Sequence, residues 1–460
     1  MKLKYRVLFT LLVPVFSNAV EKPNIVVLLA DDASWSSFGC MPDHLTAHTP
    51  NIDKLASEGM RFDRFFCAAA MCAPTRHELY TSLHPATSGM YDNGCRPAGK
   101  YPNMVDWLEE LGYNVGLTGK LHFNSPTKFE KIEGFPERAN DREYTWSYDG
   151  LEAFMRRSMH EKKPFCAMVC SIHSHSPWTC GDTSQFPLDE IKVPSRLPDT
   201  PATRTVLAAQ AAEVTELDRQ VGETLALIDQ LGLKDETIFV FLSEQGTEMP
   251  TGKYSLYNYG TRAVALFRWP GKIKAGTSTE AVAMYADVVP SLLELVGGSV
   301  PEQIDGFSFK DVLLSEGEGQ RRYATPTYFG HYQRSIIDGR FKLIHRERPI
   351  SNYSLPLITG PEDDRLHARA WKEWNVLAET DSDIRKQLEL IKQPPEWELY
   401  EIGTDPFEVN NLAPNPEYAA VLKRMQAALQ DEMTRLGDSY DAFVPKNQRP
   451  HLKHRKRRIK

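Results

Sequence analysis

The sequence predicts an α/β fold: a large doubly wound mixed sheet flanked by helices, then a smaller C-terminal α+β subdomain with an antiparallel sheet. Short continuous apolar runs, typical of buried parallel strands, alternate with helical patterns. Several runs end in charged or polar residues, as strands do at the ligand-binding edge of such sheets. After residue 325 the pattern changes to short runs around an Asp338-Gly339 turn, which indicates a hairpin.

The first nineteen residues have the pattern of a secretory signal peptide. Lys2, Lys4 and Arg6 precede an apolar stretch over residues 7–16, and Ser17-Asn18-Ala19 forms a small-x-small cleavage site. The stretch is too short to span a bilayer, although a membrane anchor is the alternative interpretation. We therefore expect an exported protein, periplasmic or secreted, without stable membrane insertion.

Length and charge limit the possible organisation and partners. The 441 residues after position 19 exceed one ordinary core, so we predict a catalytic domain over 20–325, a C-terminal subdomain over 326–447 and a basic tail over 448–460. The formal charge is −7 for the whole chain. Because the signal carries three basic residues, the remainder is more acidic still. No nucleic-acid partner is expected, and an anionic substrate must be held by local cations.

All seven cysteines lie in the first 180 residues. An odd count in an exported protein leaves one for another role, and the other six could pair. We predict that most are simply buried thiols. They are Cys40, Cys67, Cys72, Cys95, Cys166, Cys170 and Cys180.

The stretch Cys72-Ala73-Pro74-Thr75-Arg76 opens a helix predicted over residues 75–83. Pro74 suits a first helical turn, where its missing N–H costs nothing. The free N–H groups and the positive dipole end favour an anionic ligand beside Cys72, and Arg76 can point to the same spot. Cys72 is thus a candidate nucleophile, the alternative being a buried structural cysteine.

Acidic residues follow two predicted strands. The apolar run 24–30 ends in Asp31 and Asp32, and the run 237–242 leads to Glu244 and Gln245. Carboxylate and carboxamide oxygens suit a hard cation such as Ca²⁺ or Mg²⁺. Taken alone, the acidic pair could equally be a helix cap or a turn.

Basic residues follow two further strands. The run 113–118 leads to Lys120 and His122, and the run 164–172 leads to His173 and His175. The histidines are candidate acid or base groups. An isolated Lys-x-His could equally be a solvated turn. The candidate cations for an oxyanion are Arg76, Lys120, Lys253 and Arg262.

Other segments complete the predicted architecture. Helices are expected over 49–59, 103–111, 203–231 and 416–436, a strand over 397–402, and two apolar runs, a connection over 62–69 and a stretch over 263–269. Residues 348–394 are charged and weakly periodic, so we predict a long surface insertion near the site. The basic tail could touch anionic glycans or lipid, or could be disordered.

Taken together, these motifs resemble those of the type I, formylglycine-dependent sulfatases of the alkaline phosphatase superfamily. The resemblance runs over most of the chain in matching order and spacing, and it implies an alkaline phosphatase-like fold. It rests on Pro23-Asn24-Ile25, Thr49-Pro50-Asn51-Ile52-Asp53, Cys72-Ala73-Pro74-Thr75-Arg76, Gly119-Lys120-Leu121-His122, His175-Ser176-Pro177, Lys253, Leu399-Tyr400 and Asp405-Pro406-Phe407-Glu408-Val409-Asn410-Asn411-Leu412.

The resemblance implies that a maturation enzyme oxidises Cys72 to formylglycine. One hydroxyl of its hydrate then attacks sulfur, the alcohol leaves, and the other hydroxyl collapses to expel sulfate. Arg76 and His122 position the hydrate, Lys120 and Lys253 neutralise the sulfate oxygens, and His175 is the general acid. The implied ligands of Ca²⁺ or Mg²⁺ are Asp31, Asp32, Cys72, Glu244 and Gln245.

The chain departs from the family pattern in a few places. The family usually has Asp followed by Asn or His where this chain has Glu244-Gln245, each one methylene longer than Asp-Asn. A carboxylate and a carbonyl donor are retained, which favours an adapted metal site. Ser82 stands where the extended motif often has Gly, and His173 is an alternative to His175 as the substrate-facing histidine.

The predicted function is removal of sulfate from a sulfated polysaccharide or oligosaccharide. One alternative is a non-catalytic pseudosulfatase that binds sulfated glycans with Cys72 unconverted. Another is a phosphate or phosphonate ester hydrolase of the same superfamily. The sugar subsites are predicted to lie in the insertion 348–394 and in the loop after Trp178.

Overall fold

An eight-stranded mixed sheet lies at the centre of the computed structural model, which describes residues 22–123, 129–138, 146–328, 332–347 and 362–438. The spatial order is β4-β3-β5-β1-β6-β7-β2-β8. Neighbours from β4 to β6 are parallel, whereas β7 is antiparallel to both of its neighbours. The strands are β1 (Asn24–Ala30), β2 (Met60–Phe66), β3 (Asn114–Gly119), β4 (Glu130–Lys131), β5 (Phe165–Cys170), β6 (Thr237–Ser243), β7 (Arg262–Arg268) and β8 (Thr277–Met284).

Helices cover both faces of this sheet. On one face α2 (Cys72–Thr81), α4 (Met104–Glu110) and α8 (Val288–Leu295) pack against alternate residues of β1 such as Val27. On the other face α1 (Pro50–Glu58), α5 (Asp149–Glu161) and α6 (Pro201–Gln230) pack against Val26 and Leu28. All seven residues of β1 are buried, and each fully buried large aliphatic side chain contributes about 1.5–3 kcal/mol. The predicted doubly wound arrangement is confirmed.

Three strands of the large sheet differ from the sequence-based prediction, one of them the unpredicted two-residue strand β4. Most of residues 62–69, predicted as a connection, belong to β2, which pairs with β7 and β8. Strand β8 was not predicted at all, because its first half is polar and partly exposed. A strand at the edge of a sheet needs no continuous apolar run, so hydrophobicity alone does not reveal it.

A second, antiparallel sheet of four strands follows in the order β12-β11-β10-β9. Its strands are β9 (Thr327–Tyr328), β10 (Gln333–Ile337), β11 (Phe341–Arg346) and β12 (Trp397–Glu401). The predicted hairpin is confirmed, with Asp338 and Gly339 between β10 and β11. Helix α12 (Ala419–Arg435) packs on this sheet through Met425 and Leu429.

The insertion predicted over 348–394 lies largely at the surface in its described part, but it is helical and packs on the core. Residues 362–394 contain α10 (Leu366–Leu377) and α11 (Ser382–Lys392). Trp374, fully buried, packs with Val206 and Ala209 of α6. The apolar stripe of α10 is narrow and lies among charged residues, which is why the sequence looked solvent-exposed. Residues 348–361 lie outside the described part of the chain.

Several short helices complete the described structure: α3 (Pro85–Ser88), α7 (Asn258–Thr261) and α9 (Lys310–Leu313). All seven cysteines are free thiols; five are buried, and Cys40 and Cys180 are half-buried. No helix in the described ranges has both the length and the apolar character to span a bilayer. The predicted signal peptide (1–19) and basic tail (448–460) lie outside the described residues.

Candidate active site

The candidate site lies at the carboxyl edge of four adjacent parallel strands, β3, β5, β1 and β6. Ala30 is paired with Ser243, and Gly119 with Cys170, so these strands end at the same level. The residues that follow therefore meet at one edge, as expected for ligand sites of parallel sheets. Neighbouring strands are about 4.8 Å apart, so side chains from three of them reach a common point.

The acidic residues and Cys72 form one buried cluster. Single ligand atoms of Asp31, Asp32, Cys72 and Glu244 all lie within 4.8 Å of one another. The Cys72 thiol is 3.4 Å from Asp32 Oδ1, and the Gln245 amide nitrogen is 3.5 Å from the thiol. Asp32 has a left-handed φ of 54°, a conformation that Asp tolerates better than most residues. The structure thus brings together all five predicted metal-ligating residues.

The unpaired oxygens of this cluster fit a divalent cation. Among the described residues, the buried atoms Asp31 Oδ1, Glu244 Oε2 and Gln245 Oε1 accept no hydrogen bond, although Arg76 Nη2 lies 3.7 Å from Asp31 Oδ1. A buried oxygen without a hydrogen bond costs free energy. Carboxylate and carbonyl oxygens of this kind are the ligands that hard cations prefer. Gln245 directs its amide nitrogen at Asp32 Oδ1. A half-turn of the amide group would place the carbonyl oxygen there instead.

The pKa values of two of these acids are raised by burial, a shift that a bound cation would oppose. Burial, together with the Cys72 thiolate, raises the pKa of Asp32 to about 8 despite the nearby Lys253. Burial also raises the pKa of Glu244 well above its usual range, although Arg76 opposes the shift. For Asp31 burial is outweighed by Lys120 and other cations, which hold its pKa well below the ordinary value.

Three basic side chains are paired with these three carboxylates. Lys120 Nζ is 2.5 Å from Asp31 Oδ2, Lys253 Nζ is 2.6 Å from Asp32 Oδ2, and Arg76 Nε is 2.5 Å from Glu244 Oε1. Arg76 also donates to the Lys120 carbonyl. Gly119, just before Lys120, lies against β5: its φ is +85°, and a Cβ there would lie 2.0 Å from the Cys170 carbonyl oxygen.

Cys72 is the first residue of α2, three residues earlier than the predicted helix start. It is therefore inside the first turn, where unpaired N–H groups stabilise negative charge. The Ala73 N–H is capped from outside the helix by Asn93 Oδ1 at 3.0 Å. Burial would raise the pKa of the Cys72 thiol, but Lys120 and Lys253 outweigh it and lower that pKa well below its usual value. Negative charge at position 72 is thus stabilised.

The histidines of the site occupy distinct positions. His122 has a left-handed φ of 39°, and it helps to lower the pKa of the Cys72 thiol. His175 Nδ1 donates to the Ser176 carbonyl at 2.6 Å, and its Nε2 lies 3.4 Å from both Asp32 Oδ2 and Lys253 Nζ. Burial lowers the pKa of His175, but Asp32 outweighs this effect and raises it to about 9. His173, the alternative, instead faces Glu213 at 2.6 Å.

Two residues differ from the sequence-based assignment. Arg262 is not among the contacts of the cluster: it donates to the Asp63 carbonyl and stacks 4.2 Å over the Trp35 ring. Glu248, which the sequence analysis missed, lies 3.2 Å from Lys253 Nζ and accepts from the Ser176 hydroxyl. Burial raises the pKa of Glu248, but Lys253 and His175 outweigh it and lower the pKa to about 2. Its position three residues after Gln245 was the only available signal.

The fold is the alkaline phosphatase-like fold, which solved structures of low sequence identity share. One solved structure with this fold, described as a complex with its substrate D-glucosamine-2-N,6-O-disulfate, has a TM-score of 0.69 at 20% identity and covers 92% of this chain and 100% of its own. A phosphonate monoester hydrolase of Agrobacterium radiobacter has a TM-score of 0.65 at 18% identity, covering 90% of this chain and 96% of its own.

Sequence comparison identifies the family. Residues 23–298 match the Sulfatase family model, and residues 251–360 match the model for N-sulphoglucosamine sulphohydrolase, C-terminal. The chain belongs to the sulfatase family and is a sulfuric ester hydrolase. It is 28% identical over 443 residues to an ulvan-active sulfatase of Formosa agariphila, covering 92% of this chain and 82% of the relative. It is 26% identical to human N-sulphoglucosamine sulphohydrolase, covering 88% and 89%.

Proposed function

We propose that this sulfatase removes sulfate from a sulfated polysaccharide or oligosaccharide, with Cys72 converted to formylglycine. The observation that carries the proposal is the buried position of Cys72 among carboxylates with unpaired oxygens and the cations Arg76, Lys120 and Lys253. The glycan class is supported by the names of relatives, which include ulvan-active sulfatase and N-acetylglucosamine-6-O-sulfatase of Bacteroides thetaiotaomicron.

Formylglycine would supply an aldehyde hydrate as nucleophile at position 72, and a divalent cation would supply a Lewis acid beside it. Asp31, Asp32, Glu244 and Gln245 would hold the cation, either Ca²⁺ or Mg²⁺, through the oxygens that lack partners among the described residues. A formylglycine-generating enzyme is the partner that this maturation requires.

The remaining side chains act on the sulfate group, the nucleophile and the leaving oxygen. Lys120 and Lys253 neutralise charge that develops on the sulfate oxygens, because both ammonium groups already face the cluster. Arg76 and His122 orient the nucleophile. His175 Nε2 gives its proton to the leaving oxygen of the sugar, since Nδ1 is engaged by the Ser176 carbonyl.

The sugar subsites are proposed at the junction of the His175 loop and α10. Trp178, on that loop, packs edge-on against His367 of α10 at 5.8 Å. Arg365, whose side chain is 37% exposed, is ion-paired with Asp363 at 2.7 Å, and Glu248 and Tyr254 make smaller electrostatic contributions. These residues extend the site from the sulfate towards the surface, where an anionic sugar would meet the guanidinium group.

Export to the periplasm or the medium is part of the proposal, with residues 1–19 as the signal peptide. We also propose the division into a catalytic domain (20–325), a C-terminal subdomain (326–447) and a basic tail (448–460). A polysaccharide cannot cross a membrane unaided, so an enzyme that acts on it must meet it outside the cytoplasm.

The first experiment determines the mass of the peptide that contains Cys72, from protein made in its native source. A formylglycine mass, with sulfate release from a panel of sulfated glycans, is the expected result; Cys72→Ala is the matched inactive control. An intact thiol with glycan binding but no sulfate release would favour the pseudosulfatase. Faster turnover of phosphate or phosphonate esters than of sulfate esters would favour the rival hydrolase.

A chelator experiment tests the cation site in the same protein. Removal of divalent cations should abolish sulfate release and lower the thermal midpoint, and Ca²⁺ or Mg²⁺ should restore both. A cation at 100 times its dissociation constant stabilises the folded state by about 2.7 kcal/mol. Glu244→Ala should show no cation-dependent midpoint, and an unchanged midpoint in the wild type would contradict the proposed site.

A further inference from the structure

The loop that carries His175 is fastened to helix α6 by one buried carboxylate, Glu213. Glu213 is fully buried near the middle of this 30-residue helix. Its Oε1 accepts hydrogen bonds from the backbone N–H groups of Thr179 and Cys180, both at 2.9 Å. Its Oε2 lies 2.6 Å from His173 Nδ1. One side chain thus holds the loop on both sides of His175.

His173, Cys180 and Glu213 also present ligand atoms within 4.8 Å of one another. The separation of 2.6 Å between His173 Nδ1 and Glu213 Oε2 is that of a charge-assisted hydrogen bond. Because both oxygens of Glu213 already accept hydrogen bonds, the cluster is better described as an anchor for the loop than as a metal site.

The ends of the loop are fixed by further contacts. The Ser171 hydroxyl donates to Gln220 Oε1 at 2.6 Å, which adds a second attachment to α6. Asp31 N–H donates to the His173 carbonyl at 3.0 Å, and Ser174 N–H donates to the Asp31 carbonyl at 2.8 Å. The position of the loop is therefore coupled directly to a proposed metal-ligating residue.

The far end of the loop lies against α6 without space for a side chain. Gly181 has a φ of +78°, and a Cβ there would lie 2.2 Å from the Ala212 carbonyl oxygen. Glu213, the residue after Ala212, binds the loop next to this contact. His175, between these attachments, is held with Nε2 3.4 Å from Asp32 and Lys253.

We propose that Glu213 is the positioning residue that holds His175 over the leaving oxygen of the substrate. The inference rests on the proposed function, in which His175 protonates that oxygen. Glu213 itself touches no reacting atom. It acts through the backbone of the loop, and a displacement of about 1 Å at His175 is enough to weaken proton transfer.

Loss of general acid catalysis has a signature that general damage to the fold lacks. A leaving group that is a weak base departs without a proton, whereas a strongly basic one needs the acid. We therefore use substituted phenyl sulfates whose phenols span a range of acidity. The measured quantity is the slope of log kcat/KM against the pKa of the leaving phenol.

For Glu213→Gln we expect kcat/KM to fall about 30-fold for the most basic phenol and less than about threefold for the most acidic one. The slope should steepen toward that of His175→Ala, the variant in which the proposed acid is absent. Glu213→Asp keeps the charge but withdraws the carboxylate by one methylene, so it should give an intermediate slope and remains informative if Glu213→Gln does not fold.

Asp218→Asn is the matched control. Asp218 lies on the same helix, is 2% exposed, and fastens α1 through the N–H groups of Asn51 and Ile52. Its substitution should lower the thermal midpoint comparably and leave the slope at the wild-type value. A uniform loss for every phenol in Glu213→Gln, equal to that in Asp218→Asn, would show a structural role alone and overturn the inference.

The variants distinguish the role of Glu213 from that of His175. If His175→Ala itself leaves the slope unchanged, the acid role of His175 is wrong and the inference about Glu213 fails with it. If His175→Ala steepens the slope but neither Glu213 variant does, only the inference about Glu213 is overturned, and the proposed function stands.

Discussion

At the scale of single residues, Lys253 shows how the site maintains its positive charge. It is 3% exposed and lies between Asp32 and Glu248, with Nζ 2.6 Å and 3.2 Å from their oxygens. Burial by itself would lower its pKa, but Asp32, Cys72 and Glu248 outweigh that effect and raise the pKa well above the usual value. The ammonium group therefore stays charged over the whole working range of pH.

Lys253→Ala is predicted to lower kcat/KM for sulfate esters by about 10²–10³-fold, the usual cost of removing a group that stabilises transition-state charge. Lys253→Arg keeps the charge and should retain more activity than the alanine variant. Steady-state kinetics, with the far-ultraviolet circular dichroism of each variant as a check of folding, measures the effect. Activity of folded Lys253→Ala within threefold of wild type would contradict the role.

The two candidate histidines have different surroundings in the structure. His173 and His175 are two positions apart, and the sequence could not choose between them. In the structure His173 faces Glu213 of α6, whereas His175 faces Asp32 and Lys253. The choice depends on the backbone path of the loop, which is set by contacts with α6 rather than by local sequence.

At the scale of elements, α10 is the clearest revision of the sequence-based picture. Its Trp374 is fully buried, and the indole N–H donates to Thr203 Oγ1 of α6 at 2.8 Å. The aromatic body packs on the long helix while its polar group finds a partner, which is the usual condition for burying tryptophan. The helical pair is thus part of the core and supports the proposed subsite residues Arg365 and His367.

Trp374→Ala is predicted to lower the free energy of unfolding by about 3–5 kcal/mol, because it leaves a large cavity between α10 and α6. Val376→Ala, on the same helix but 66% exposed, should change it by less than about 0.5 kcal/mol. Denaturant unfolding of both variants measures the difference. Equal effects would mean that α10 is only loosely attached to α6.

At the scale of the whole molecule, the two sheets share a core. Phe66 and Met284 of the large sheet pack in one cluster with Ile337, Ile344 and Tyr400 of the small sheet. Arg196 reinforces the junction: its guanidinium group lies 3.8 Å over the Tyr257 ring and 5.6 Å over the Tyr400 ring. It also donates to the Tyr400 hydroxyl at 2.9 Å.

Arg196→Ala is predicted to cost about 2–4 kcal/mol, because it removes desolvated cation–π contacts and buried packing from the junction. Arg219 is the control, because it lies 4.2 Å over the Trp146 ring but has a side chain that is 52% exposed. Arg219→Ala should lower the free energy of unfolding by at most about 1 kcal/mol. Calorimetry should show a single transition in each protein. Two separated transitions in the wild type would contradict a shared core.

The sequence by itself determined the α/β class, the main strands and helices, and the kinds of residue at the strand ends. Those features are local, because a buried parallel strand such as Asn24–Ala30 needs a continuous apolar run and is visible as one. Polar edge strands such as β8 lack that run and were missed.

Only the tertiary structure decided which of the candidate side chains meet. It assembled Asp31, Cys72 and Glu244 within one cluster and placed Arg262 beside Trp35. It also revealed Glu248 at Lys253 and Glu213 at the His175 loop. The physical reason is that hydrogen bonds and ion pairs act over about 3–4 Å. Partners such as Thr179 and Glu213 are far apart along the chain. Only the packing of the helices on the sheet brings them together.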